Sequence, residues 1–219
     1  MTNGISEIVS LYDAFILDQH GVLHNGKSAF PGAVDCVKEL HAAMGKKLII
    51  LSNTSSPSAS TFDRLPTLGF DKSNFLGVVM SGDEANKFIA ETYGSSEKKK
   101  RGLWFMWAGK KKPDPLDFIK LYGEKVGPTG LVEETDFIIF QGCQVLSGGP
   151  SDAKWDKNMK ELSLGLYSKT GGISIIDPIL ERCKIRGLPM LCCNPDNIVV
   201  MSDGSIGHMP GERLSLKNE

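Results

Sequence analysis

The sequence lacks three features that would assign it to a membrane, a secretory or a nucleic-acid-binding class. No apolar run approaches the roughly 18 residues of a membrane-spanning helix. The N-terminus has no basic region followed by an apolar core, as a secretory signal would. Neither charge is in excess, because 25 Lys and Arg residues accompany 26 Asp and Glu residues. We therefore expect a cytoplasmic protein without membrane or nucleic-acid partners.

Cysteine and glycine patterns exclude two further classes. The chain has five cysteines, an odd number, and most lie among apolar residues. This usage favours reduced thiols over a disulfide framework or a zinc site. The 24 glycines never form Gly-x-Gly-x-x-Gly after an apolar strand, so a dinucleotide-binding fold has little support.

The first informative segment is an apolar run that ends in a carboxylate. Phe15 and Ile16 are strong β-formers, and Asp18 follows them at the predicted carboxyl end of the strand. Ligands of open α/β sheets bind at that end, so Asp18 is a candidate active-site residue. Gly21 then allows the chain to turn away. The alternative is that Asp18 begins an ordinary polar turn.

A second apolar run, residues 47–54, ends in small hydrogen-bonding side chains, which is typical of a buried parallel strand. A helix is predicted between the two strands, with Pro31 in its first turn and Gly45 at its end. Its apolar positions recur at three- and four-residue steps, at Val34, Val37, Leu40 and Met44. This βαβ unit predicts that Asp18 and Ser52 lie at the same edge of a parallel sheet.

These residues resemble the haloacid dehalogenase superfamily of phosphohydrolases. Its first motif, Asp-x-Asp-Gly-Val/Thr-Leu, is matched by Asp18–Leu23, and its second, an apolar strand ending in Ser or Thr, by Leu48–Ser52. The Phe30–Ala33 segment and Cys193–Asp196 are similar to subclass IIA, which contains nitrophenyl-phosphatase-like and nucleotide-phosphatase-like enzymes. The resemblance implies an α/β fold: a Rossmann-like core of three α/β/α layers around a mostly parallel sheet, with an inserted α/β cap.

The resemblance also implies a site and a substrate class. Asp18 would be the nucleophile that forms an aspartyl-phosphate, which divides a slow hydrolysis into two easier steps. Mg²⁺ would be held by Asp18 and the backbone carbonyl of His20, together with substrate oxygens. Ser52 would hydrogen-bond the phosphoryl group, and the backbone amide of Asn53 is a further candidate. The implied partner is a small phosphorylated metabolite, whose identity cap loops would determine; the oligomeric state is left open.

His20 departs from the motif, because phosphatases of the superfamily usually have a second aspartate at that position. That aspartate acts as a general acid, a role worth about 10² to 10⁴ in rate. Histidine can donate or accept a proton, since its ordinary pKa is about 6.5. The alternatives are therefore that His20 replaces the acid or that it only fills the position.

Changes in pattern along the chain predict three segments. Residues 1–99 are expected to form the first part of the core and residues 100–190 the cap, with helices at 115–122 and 152–162. Residues 191–219 are expected to begin the core's return. The family's lysine motif and Gly-Asp motif do not follow. The core is accordingly expected to be incomplete, with an exposed apolar sheet edge and weak Mg²⁺ affinity. The alternative to a phosphatase is therefore a catalytically inactive or shortened binding protein.

Overall fold

The computed structural model describes residues 4–107, 125–146, 162–163, 176–200 and 203–212. The described residues form two compact units. The first contains residues 4–52 and 57–80 together with Asp203, and the second contains residues 53–56, 81–200 and 204–212 as far as they are described. The helix predicted at 115–122 lies outside the described residues, as does the helix predicted at 152–162 apart from its last residue.

The first unit is built on three parallel strands in the order β1-β2-β3. These strands are β1 (Ala14–Leu17), β2 (Lys47–Ser52) and β3 (Gly77–Met80). Leu17 pairs with Ile50, and Ser52 pairs with Met80. The predicted parallel α/β fold is confirmed.

Helices connect these strands. Helix α1 (Ala33–Lys38) continues into a π-helical turn over Glu39–Ala43, and α2 (Ser58–Arg64) continues into a 3₁₀ turn over Leu65–Leu68. Shorter 3₁₀ turns cover Ile5–Glu7, Val9–Leu11 and Lys72–Asn74. The helix predicted between β1 and β2 is therefore present, and the chain leaves it through Gly45 at a φ of 62°.

The two faces of the three-stranded sheet differ in exposure. Leu48 and Ile50 are fully buried among apolar residues of the crossover helices. Side chains on the opposite face alternate with these and are exposed, with Ile16 at 68%, Leu51 at 49% and Val79 at 44%. The sheet of the first unit therefore presents one buried face and one apolar, exposed face.

The second unit contains a larger mixed sheet. Its strands are β4 (Lys100–Met106), β5 (Val126–Thr129), β6 (Phe137–Phe140), β7 (Val145–Leu146), β8 (Leu162–Ser163) and β9 (Met190–Cys192). The order is β8-β7-β4-β6-β9, and β5 also pairs with β4. Helices α3 (Ser81–Tyr93) and α4 (Ile176–Ile185) supply apolar residues to two separate clusters that contain side chains of β4 and β6. Burial on both faces explains the uninterrupted apolar sequence of β6.

Strand β9 lies in this second sheet, where it pairs in parallel with β6. The backbone N–H of Cys193 continues the pairing by donating to the Phe140 carbonyl at 2.9 Å. The second unit thus includes residues 53–56, α3 and β9. The predicted division of the chain near residues 100 and 191 stays a prediction. The sequence predicts the return of the chain at residue 191, but it does not specify which sheet edge satisfies the backbone groups of the strand found there.

A hairpin follows β9. Strands β10 (Ile198–Val200) and β11 (Ile206–His208) pair antiparallel. Gly204 in the turn has a φ of 83°. Throughout the described segments, no helix combines the length and the hydropathy that crossing a bilayer requires.

Candidate functional site

The candidate site lies at the carboxyl edge of the first unit's sheet. Asp18 directly follows β1 and is exposed, whereas Ser52 is the last residue of β2 and is buried. The carboxyl ends of parallel strands share one edge, where α/β proteins bind ligands. The backbone N–H of Gln19 donates to Asp18 Oδ1 at 2.7 Å. The predicted placement of these two residues on neighbouring parallel strands is therefore observed.

Gln19 is a site residue that the motif comparison missed, since it occupies a variable position of the motif. Its side chain is only 6% exposed, and its amide Nε2 donates to Ser52 Oγ at 3.0 Å. The signal that could have found it is the alternation of β1, in which Phe15 and Leu17 point inward and Gln19 continues the same side.

His24 lies behind Gln19 and is 3% exposed. The backbone N–H of Gly26 donates to His24 Nδ1 at 3.0 Å, and His24 Nε2 lies 3.4 Å from Gln19 Oε1. Nδ1 therefore accepts, which leaves Nε2 as the protonated nitrogen that donates to Gln19. Burial is the main reason that the pKa of His24 falls to about 4, and the charges of Arg64 and His20 lower it further. The ring is neutral at physiological pH.

The turn that carries His24 is fixed by its backbone. The N–H of Gly21 donates to the His24 carbonyl at 2.9 Å, and Gly21 has a φ of 88°, which favours glycine. Asn25 Oδ1 accepts from the backbone N–H groups of Lys27 and Ser28, both at 2.9 Å. This Asx turn explains why the sequence after the first motif folds back beside β1.

The His20 side chain lies against this turn. Its ring is edge-on to the His24 ring, with centroids 5.9 Å apart. A Cβ added to Gly26 would lie 3.4 Å from His20 Cε1, so the imidazole packs closely over the glycine. The structure gives His20 a packing role in the turn, and its role as a general acid stays a prediction.

Asn53 follows Ser52 but belongs to the second unit with residues 54–56. This segment is held there by close backbone contacts. The Thr54 carbonyl accepts from the N–H of Gly82 at 3.3 Å and from the Ser81 hydroxyl at 3.1 Å. A Cβ on Gly82 would approach the Ser55 carbonyl oxygen to 2.5 Å. The phosphate-binding role of the Asn53 amide stays a prediction.

The predicted magnesium ligands form a partial oxygen set. The Asp18 carboxylate is exposed at the sheet edge, and carboxylate and carbonyl oxygens are the donors that Mg²⁺ prefers. Among the described residues, no three His, Cys, Asp or Glu side chains are grouped as a metal centre. Asp18 and the His20 carbonyl fit a site in which Mg²⁺ keeps water and substrate oxygens as its other ligands.

Comparison with protein families gives one sequence match across the candidate site. Residues 15–112 match the model of haloacid dehalogenase-like hydrolases. A 56-residue stretch is 38% identical to a 4-nitrophenylphosphatase of Schizosaccharomyces pombe. The resemblance to the haloacid dehalogenase superfamily, subclass IIA, is confirmed.

Solved structures show the same haloacid dehalogenase-like fold. A hydrolase of this family from Brucella suis aligns over 99% of the chain with a TM-score of 0.68 and 21% identity. A glycerol phosphate phosphatase from Mycobacterium tuberculosis, solved in complex with magnesium, aligns over 95% of the chain with a TM-score of 0.55 and 17% identity.

The alignments cover only part of these haloacid dehalogenase-like relatives. The chain spans 18% of the Schizosaccharomyces pombe protein, 68% of the Brucella suis structure and 52% of the Mycobacterium tuberculosis structure. The fold is therefore shared over nearly the whole of this chain, and the activity of those longer proteins is a separate question.

Proposed function

We propose that the protein is a Mg²⁺-dependent phosphatase that hydrolyses small phosphomonoesters through an aspartyl-phosphate on Asp18. The observation that carries this proposal is the placement of an exposed Asp18 and a buried, hydrogen-bonded Ser52 at the ends of adjacent parallel strands. The chain is similar to a 4-nitrophenylphosphatase in sequence and to a glycerol phosphate phosphatase in fold.

In the first step, an Asp18 carboxylate oxygen forms a bond to phosphorus as the ester P–O bond breaks. The exposed position of the carboxylate allows a substrate to approach it. The leaving oxygen takes a proton from His20 or from water. Because both nucleophile and substrate are anionic, Mg²⁺ held by Asp18 and the His20 carbonyl would supply the charge neutralisation that this attack requires.

In the second step, water attacks phosphorus, the Asp18–phosphate bond breaks and inorganic phosphate leaves. Ser52 contributes in both steps by donating a hydrogen bond from its hydroxyl group to a phosphoryl oxygen, where negative charge accumulates. Its burial at 5% exposure favours this bond, since a hydrogen bond to a charged acceptor is stronger away from bulk water.

The test is Mg²⁺-dependent hydrolysis of p-nitrophenyl phosphate, whose activated leaving group needs little acid assistance. We expect Asp18→Asn to reduce turnover to background and Ser52→Ala to reduce it about 10²-fold. Asp13→Asn is the matched control, because Asp13 is an exposed aspartate at the opposite end of β1. Phosphate binding without turnover in the unmodified chain would refute the phosphatase and support the inactive binding protein.

A further inference from the structure

We propose that Gln19 is a positioning residue that orients the Ser52 hydroxyl toward phosphate, and that His24 sets the orientation of the Gln19 amide. This inference rests on the proposed function, in which Ser52 binds the phosphoryl group. Gln19 lies between Asp18 and His20 in the sequence, at a position of the motif to which the family resemblance assigns no role.

Burial makes the bonds of this chain of side chains obligatory. Gln19, His24 and Ser52 are 6%, 3% and 5% exposed, so few of their polar atoms can be satisfied by bulk water. An amide that rotated by half a turn would set its NH₂ group against the N–H of His24 and leave two donors opposed. Such a buried, unmade bond costs about 1–3 kcal/mol.

The direction of every bond follows from one backbone amide. The N–H of Gly26 can only donate, so His24 Nδ1 accepts and His24 Nε2–H donates to Gln19 Oε1. The other end of the Gln19 amide, Nε2, must then donate to Ser52 Oγ. The fold thus fixes the Ser52 oxygen as an acceptor on the Gln19 side.

This polarity suits a phosphate ligand. Fully ionised phosphoryl oxygens only accept hydrogen bonds, so Ser52 is useful there when its hydroxyl proton points to the ligand. A donor from Gln19 prevents the Ser52 hydroxyl from donating toward Gln19. If the Gln19 side chain were apolar, the Ser52 hydroxyl would rotate among its other acceptors, and the bond to phosphate would weaken.

The experiment is a double-mutant cycle in which calorimetry measures the affinity for inorganic phosphate in the presence of Mg²⁺. Gln19→Met keeps the length of the side chain and removes the donor. We expect it to weaken phosphate binding about tenfold when Ser52 is present and to change nothing further in the Ser52→Ala background. In p-nitrophenyl phosphate turnover, the same variant should lose kcat/KM only when Ser52 is present.

Thr61→Val is the matched control. Thr61 is a buried polar residue of the same unit whose hydroxyl contacts Met80 Sδ at 3.8 Å, and Gln19 Nε2 lies 3.9 Å from the same sulfur. Its loss should leave phosphate affinity unchanged, whereas a similar loss in Thr61→Val would assign the Gln19 effect to general packing.

The outcomes separate this inference from the proposed function. Equal weakening by Gln19→Met with and without Ser52 overturns the positioning role and leaves the phosphatase intact. If Gln19→Met weakens phosphate binding only when Ser52 is present and the unmodified chain does not hydrolyse the ester, the positioning role is supported and the phosphatase is refuted. A chain that neither binds phosphate nor hydrolyses the ester contradicts both.

Discussion

Lowering the pH should destabilise the first unit through His24. A folded pKa of about 4, compared with an ordinary value of 6.5, means that the unfolded chain binds this proton more readily than the folded chain. The stabilising contribution is complete above pH 6.5 and is lost as the pH falls from 6.5 to about 4. The full difference corresponds to at most about 3 kcal/mol, a large part of the 5–15 kcal/mol typical of a domain.

The measurement is urea unfolding between pH 4 and pH 7 in EDTA, monitored by amide hydrogen exchange in β1 and β2. Exchange is the right probe because residues 4–80 contain no tryptophan, so tryptophan fluorescence does not report on this unit. We expect protection in β2 to fall over this range and the fall to be much smaller in His24→Gln. His41→Gln is the control and should retain the fall. If the protection of β2 depended equally on pH in the wild type and in His24→Gln, the assignment of this pH dependence to His24 would be refuted.

Two further predictions concern Gly82 in the second unit and His20 in the first. Gly82→Ala should lower the free energy of unfolding by about 1–3 kcal/mol in chemical unfolding, because the new Cβ would lie 2.5 Å from the Ser55 carbonyl oxygen. Gly77→Ala is the control and should cost little, because its new Cβ would have no neighbour within 4 Å; equal costs would contradict the proposed effect of the Ser55 contact. If His20 is the general acid, His20→Ala should slow hydrolysis of an alkyl phosphate about 10²-fold and of p-nitrophenyl phosphate much less, and equal losses on both would show a structural role.

The parallel strands and the helix between them could be predicted because their apolar periodicity is local. Asp18 and Ser52 end those strands, so their shared edge follows from parallel pairing alone. The sheet to which β9 belongs could not be predicted, because Met190–Cys192 pairs with β6 across about fifty residues of chain.

The hydrogen bonds behind Ser52 could not be predicted from the sequence. Gln19 occupies a variable position of the first motif and His24 follows that motif, and polar residues are usually exposed. Their burial depends on the turn that brings the N–H of Gly26 to His24 Nδ1. The alternation of β1 indicates only the side on which Gln19 lies, and the distances among the three side chains identify it as part of the site.

The proposed mechanism depends on a covalent intermediate at Asp18, which can be trapped chemically. The protein would be mixed with p-nitrophenyl phosphate and Mg²⁺, quenched in acid and then reduced with borohydride, which converts an acyl phosphate to an alcohol. We expect mass spectrometry to find homoserine in place of Asp18 and no reduction of any other carboxylate. Turnover with an unmodified Asp18, or with a reduced carboxylate elsewhere, would contradict it.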